Sequence, residues 1–176
     1  MADRLGGKKL TASDPAQRAR ALELESTLDH VFGHGVQQVL YSALLKDRQA
    51  VVELWSFGGP FWGRAFYAVA FPAVASVVQR MYKTTDLDGV AKAKQRFANL
   101  FDELDALLVQ QPYLGGDQPR RSDITLAALL APVCRAPEHR MKWPALPAEL
   151  ADFEASLSGR PTWNHVLRMY REHRRG

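Results

Sequence analysis

The chain has 176 residues and a formal net charge of +4, with 47% of positions hydrophobic and 24% charged, which is the balance of one soluble globular domain able to bury a core. The mild basic excess singles out no partner by itself. The lone cysteine, Cys134, excludes an intramolecular disulfide, and a reducing, cytoplasmic setting is the expectation.

The opening "MADRLGGKKL" lacks the apolar centre of a secretory signal. Residues 1–13 read as a flexible arm and residues 14–176 as one helical domain. In "SDPAQRARALELE", Ser13 or Asp14 is placed to cap a helix, and Pro15 suits its first position because the missing N–H would be unpaired there anyway. Apolar residues follow at helical spacing: Leu24, Leu28, Val31, Phe32, Val36, Val39, Leu40 and Leu44. Gly33 and Gly35 interrupt them at about 1 kcal/mol each against Ala, so close packing or a bend is expected there.

"SFGGPFWG" (Ser56 to Gly63) reads as a loop. From Arg64 to Tyr82 the chain is apolar on nearly every side, which predicts a central helix buried by several neighbours and kinked at Pro72. Its most apolar stretch, Ala65 to Val78, has 14 residues and falls short of the roughly 20 a membrane-spanning helix needs, so no membrane partner is expected. "TTDLDGVAKAKQRF" restarts a helix with early acidic residues that suit its dipole. Phe97, Leu100, Phe101, Leu104, Leu107 and Leu108 form its stripe. Further helices are predicted from Ser122 to Val133, from Ala148 to Leu157, and from Pro161 onward with Trp163, Val166, Leu167 and Tyr170 inward. With no alternating strand pattern and no repeat, the predicted fold class is all-α.

The stretch "PYLGGDQPRRSDITLAALLAP" (Pro112 to Pro132) carries the most specific signal. Asp123 stands three residues after Arg120, where a carboxylate accepts orphaned N–H groups of a helix's first turn. Tyr113, Leu114, Gly116, Asp117, Arg120, Ser122, Asp123, Ile124 and Thr125 together resemble the pattern Tyr-Leu-x-Gly-Asp-x-x-Ser/Thr-x-Ala-Asp-Ile/Leu-Thr of the C-terminal helical domain of cytosolic glutathione transferases. "DPAQRARALELE", "RRSDITLAALLAPV" and "RPTWNHVLRMYREHR" are similar to that domain's first, core and last helices, so the resemblance spans about residues 13–175. It implies a helical bundle of this type. The family's capping Ser or Thr falls on Arg120, and Ser122 replaces the usual Ala, so Asp123 is left to hold the helix start alone or with Ser122. Arg120→Ser is therefore expected to raise stability by about 0.5–1 kcal/mol, read as a higher melting temperature.

In the family, glutathione is held mainly by a thioredoxin-like domain ahead of these helices, which also activates the thiol. Only about 13 residues precede the first helix here, with no strand or βαβ pattern. The resemblance thus implies a protein not catalytic by itself, which binds hydrophobic small molecules or a protein partner. The alternative is a glutathione transferase whose thioredoxin-like half lies on another chain or outside this sequence. No cofactor is expected, and glutathione only with a partner domain. The expected partners are a second copy of the chain or a separate thioredoxin-like chain.

Among the aromatic residues Trp55, Phe57, Phe61, Trp62, Phe66, Tyr67 and Phe71, the resemblance makes Trp62 and Tyr67, with Tyr41, the candidate lining of a hydrophobic-ligand pocket. The plainer reading is core plus a covered loop. Where a partner domain is missing, surfaces it would bury become exposed and favour self-association or docking. His30 and His34 share a helical spacing, but no carboxylate completes a zinc motif, so no metal site is expected. Cys134 lies in an apolar run and reads as a small buried hydrophobe. No catalytic residue is assigned. Arg168, Arg171, Arg174 and Arg175 suit the dipole at a helix C-terminus, and no stacking aromatics interleave with them to favour nucleic acid.

Overall fold

The computed structural model describes residues 4–5, 8–141 and 143–174, and the fold is all-α. A short antiparallel pair, β1 (Arg4–Leu5) and β2 (Lys8–Lys9), matches Arg4 with Lys9 and Leu5 with Lys8. Strands of two residues are too short to leave an alternating pattern in the sequence. The rest of that segment before Leu10 lies outside the described residues.

Asp14 caps α1 (Pro15–Leu28), accepting the Ala16 N–H at 3.1 Å. The long helix expected to follow is interrupted by a π-helical turn, Asp29–Gly33, and resumes as α2 (His34–Leu44). Gly35 explains itself by packing, because a Cβ there would lie 3.1 Å from the Phe97 ring. Both readings of the glycine pair, a change of helix geometry and close approach, are realised. A further helix, α3 (Arg48–Ser56), is capped by Asp47, which accepts the Ala50 N–H at 3.0 Å. After the loop come α4 (Gly63–Tyr82) and α5 (Leu87–Gln110), the latter capped by Asp86 through the Gly89 N–H. The chain then forms α6 (Arg121–Cys134), a 3₁₀ turn at Ala148–Leu150, α7 (Ala151–Leu157) and α8 (Pro161–His173).

The centre of the bundle is α6, in contact with α1, α2 and α8, while α5 closes the core from the other side against α2 and α8. Phe32, from the π turn, and Phe97, from α5, meet at 4.7 Å between ring centroids, with Phe101 and Phe153 packed around them. Leu126, Leu130 and Val133 of α6 and Val166 of α8 are fully enclosed.

The reading of α4 as the central helix is corrected. Among its residues only Gly63 and Ala75 are buried, and it packs on α3 and α2 at the edge of the bundle. Its outer side is apolar and open, with Val69 84% exposed. An apolar run reports affinity for an apolar neighbour without saying whether the same chain supplies one. α4 continues through Pro72. Proline has no N–H to give the carbonyl of Ala68, one turn back, and that carbonyl instead accepts from the Arg48 guanidinium of α3. Arg48 also lies over the Phe71 ring. Among the described residues no helix is long and apolar enough to cross a membrane.

Candidate functional site

The three predicted pocket residues fall on one aromatic chain but do not enclose one cavity. Trp55 of α3 is its centre. Its indole N–H donates to the Tyr41 hydroxyl at 3.0 Å, and its ring stands 5.9 Å from Tyr67 and 5.8 Å from Phe71. Tyr41 also stacks on Tyr82 at 6.1 Å. Burial pushes the Tyr41 phenol up, opposed by the hydrogen bond from Trp55 and reinforced by Tyr82. The hydroxyl is therefore held in its protonated form, with its own proton available to donate. Trp62 meets Phe66 edge-on at 6.1 Å and is more than half exposed, and Phe66 meets Tyr67 in the same way.

The cavity beside this chain lies on the Tyr41 side. It has a volume of about 200 Å³ and opens between α2, α3, the end of α6 and the residues Met141, Trp143, Pro144 and Leu146. Leu40, Tyr41 and Leu44 form one wall, Trp55 the second, and Met141 and Trp143 the third. The indole N–H of Trp143 is buried with no acceptor. Trp62 and Tyr67 are not part of this lining. Sequence reasoning missed Trp143, because "MKWPALP" has no periodicity that would place it, and missed Leu44 as a wall because its spacing marks only the inward side of α2.

The second constellation is the start of α6, which the sequence did locate. Ser122 and Asp123 are buried, Asp123 completely. One carboxylate oxygen accepts the Leu114 N–H at 2.9 Å, and the other accepts the Arg120 N–H at 2.7 Å. The second bond is the carboxylate half of a capping box. The reciprocal half needs an acceptor on residue 120, and a guanidinium has only donors; the Asp123 N–H goes to the Arg120 carbonyl at 3.2 Å. The shared carboxylate thus ties the turn at Leu114 to the helix start.

His165 of α8, buried and not singled out by the sequence, places Nε2 2.9 Å from Asp123, at an angle too oblique for a full hydrogen bond. Its Nδ1 is 3.0 Å from an Arg168 nitrogen. Because that guanidinium only donates, Nδ1 accepts and the ring proton sits on Nε2, facing the carboxylate. Arg168 also lies 4.9 Å over the Tyr113 ring and donates to the Pro112 carbonyl. In this arrangement Arg168 occupies the ring nitrogen that would activate a nucleophile, so the Asp–His pair serves as a structural clamp between α6, α8 and the loop before α6.

Elsewhere, Cys134 is buried and its thiol is pushed well up by that burial, against a smaller opposing effect of Arg135. A thiol kept protonated is a poor nucleophile. His30 and His34 are exposed, and the His34 ring stands 5.2 Å from Tyr82. Among the described residues no three His, Cys, Asp or Glu side chains converge as a metal set. Of the basic tail, Arg174 lies over Tyr170, and Arg175 is outside the described residues. Comparison with protein-family models, curated proteins and solved structures finds no match.

Proposed function

We propose that this chain is a helical binding protein of the glutathione-transferase C-terminal type, not catalytic by itself, that takes a small apolar molecule in the cavity beside Tyr41. The observation that carries the reading is the cavity itself, walled by Leu40, Leu44, Trp55, Met141 and Trp143, with Tyr41 and Gln37 as the polar members of its lining. The Tyr41 hydroxyl accepts from Trp55 and keeps its own proton to donate to a ligand. A volume of about 200 Å³ is of the order that holds a single aromatic ring, since apolar cavities of about 150 Å³ take up benzene. The ligand class is therefore a one-ring apolar molecule with one carbonyl-type acceptor.

Acetophenone and its hydrocarbon isostere cumene test this. Acetophenone is expected to bind about 5–10-fold more tightly than cumene, the worth of one net hydrogen bond from the Tyr41 hydroxyl. Tyr41→Phe is expected to erase that difference while cumene still binds. Equal affinities for the two, or no binding of either, would overturn the assignment. Glutathione conjugation to a generic electrophile by the purified chain is expected to be absent, and turnover would remove the non-catalytic part of the reading.

A further inference from the structure

We infer that the groove between α1 and the turn leading into α6 is a phosphate-binding site, taking a small phosphate monoester with an apolar body. It lies apart from the cavity beside Tyr41 and shares none of its lining. Its volume is about 640 Å³, within the roughly 300–1,000 Å³ of small-molecule clefts. Arg18 and Arg20 come to it from α1, and Arg120 and Arg121 from the start of α6. Glu25 is the only carboxylate of the lining, while Leu22, Leu24, Leu107 and Leu114 supply its apolar part.

Two observations distinguish this groove from a solvated basic face. The first is Ser122. Only 1% of the residue is exposed and it lines the groove, yet its hydroxyl has no hydrogen-bond partner among the described residues. A buried polar group without a partner is destabilising, and a phosphate oxygen would accept its proton. The second is how the arginines are held. Arg18 Nε and Nη2 donate to the Ala12 carbonyl at 3.3 and 3.2 Å, a neutral acceptor that fixes the guanidinium without cancelling its charge. Arg20 has no carboxylate partner among the described residues, and Glu25 is paired with Arg121 at 3.4 Å. Gly115 seats Arg120: a Cβ there would lie 2.5 Å from Arg120 Cγ, so the glycine leaves the room that the arginine stem occupies.

The two departures from the pattern this stretch resembles, Arg120 for a capping Ser or Thr and Ser122 for Ala, both line the groove. One forgoes a helix cap and the other buries an orphan hydroxyl. Local losses of this kind at one place fit a site completed by what it binds. Four guanidinium groups against one carboxylate leave an excess that a dianion meets better than a monoanion, and the planar guanidinium fork suits phosphate oxygens. A phosphate monoester becomes doubly charged above about pH 6.

Titration calorimetry on the full chain tests this with octyl phosphate, octanoate, octanol and inorganic phosphate. Octyl phosphate is expected to bind about 10-fold more tightly than octanoate and about 100-fold more tightly than octanol. Its affinity is expected to rise from about pH 5.5 to about pH 7 as the second proton leaves the phosphate, while octanoate stays nearly flat. Ser122→Ala and Arg20→Gln are each expected to weaken octyl phosphate about 10-fold without lowering the melting temperature. Arg120→Ser is expected to weaken it while raising the melting temperature. Arg80→Gln on α4 and Tyr41→Phe in the other cavity are expected to leave it unchanged. No binding of octyl phosphate at millimolar concentration, equal affinity for octanol, or loss of binding in Tyr41→Phe overturns the proposal. Inorganic phosphate binding as tightly as octyl phosphate overturns the apolar body. Binding confined to phosphatidylglycerol vesicles also overturns the site, because a basic surface alone accounts for it.

Discussion

Asp123→Ala is expected to destabilise the protein by about 4 kcal/mol, the largest single-residue effect outside the aromatic core. The carboxylate is completely buried and accepts two backbone N–H groups, from Leu114 and Arg120. Alanine leaves both donors in a dry environment, and each unpaired group costs about 1–3 kcal/mol. It also removes the group that faces His165 Nε2 at 2.9 Å. Asp123→Asn separates these contributions. The amide keeps one oxygen, so it retains one of the two N–H bonds, but its NH₂ points at a donor in place of the other. About half the loss is expected for Asn. Urea unfolding followed by circular dichroism measures both, with unchanged slope marking an effect on the folded state. A loss below 1 kcal/mol for Asp123→Ala would show that the helix start does not depend on this carboxylate.

Asp105→Ala is expected to cost about 3 kcal/mol, for a related reason reached by a different route. α8 begins after Arg160, which, like Arg120 before α6, offers its helix no side-chain acceptor. The acceptor comes from α5. One Asp105 oxygen takes both the Thr162 N–H at 2.7 Å and the Thr162 hydroxyl at 2.6 Å. The other takes Arg160 Nε at 2.7 Å, while Asp102 binds the same guanidinium at 2.6 Å. Removing Asp105 leaves the capped Thr162 N–H unpaired at a residue that is fully enclosed, about 1–3 kcal/mol, and also takes the acceptor from the Thr162 hydroxyl and from Arg160 Nε. Asp105→Asn keeps an acceptor for Thr162 and is expected to recover about half of the loss. Asp102→Ala, whose partner pair is largely solvent-exposed on the carboxylate side, is expected to change stability by less than about 1 kcal/mol. Thermal unfolding of the three variants checks the ordering. Equal effects at Asp102 and Asp105 would mean that charge alone, and not the cap, holds α8.

These two carboxylates also show how far a linear reading reaches. Asp123 acts on a residue three positions away, so its role could be read from spacing and the resemblance that spacing carried. Asp105 acts across 57 residues, and nothing in "FDELDALLVQ" separates it from the other acids on the same helix. The candidate pocket divides in the same way. Tyr41 was named through the family resemblance and lines a cavity. Trp62 and Tyr67 were named on the same ground and lie outward or on the far side of Trp55. Trp143, the residue with the orphan donor, sits in a proline-flanked segment whose position depends on where α6 ends and α7 begins.

The sequence by itself determined the all-α class, most helix starts, the apolar stripe of α5 and the inward side of α8, because caps and 3.6-residue periodicity are local properties of a few consecutive residues. Only the tertiary structure decided that α6, and not α4, is enclosed, that α8 takes its cap from α5, and which rings share a cavity. Periodicity tells which side of a helix seeks apolar company; the packing of all the helices at once decides which sides receive it and which are left open.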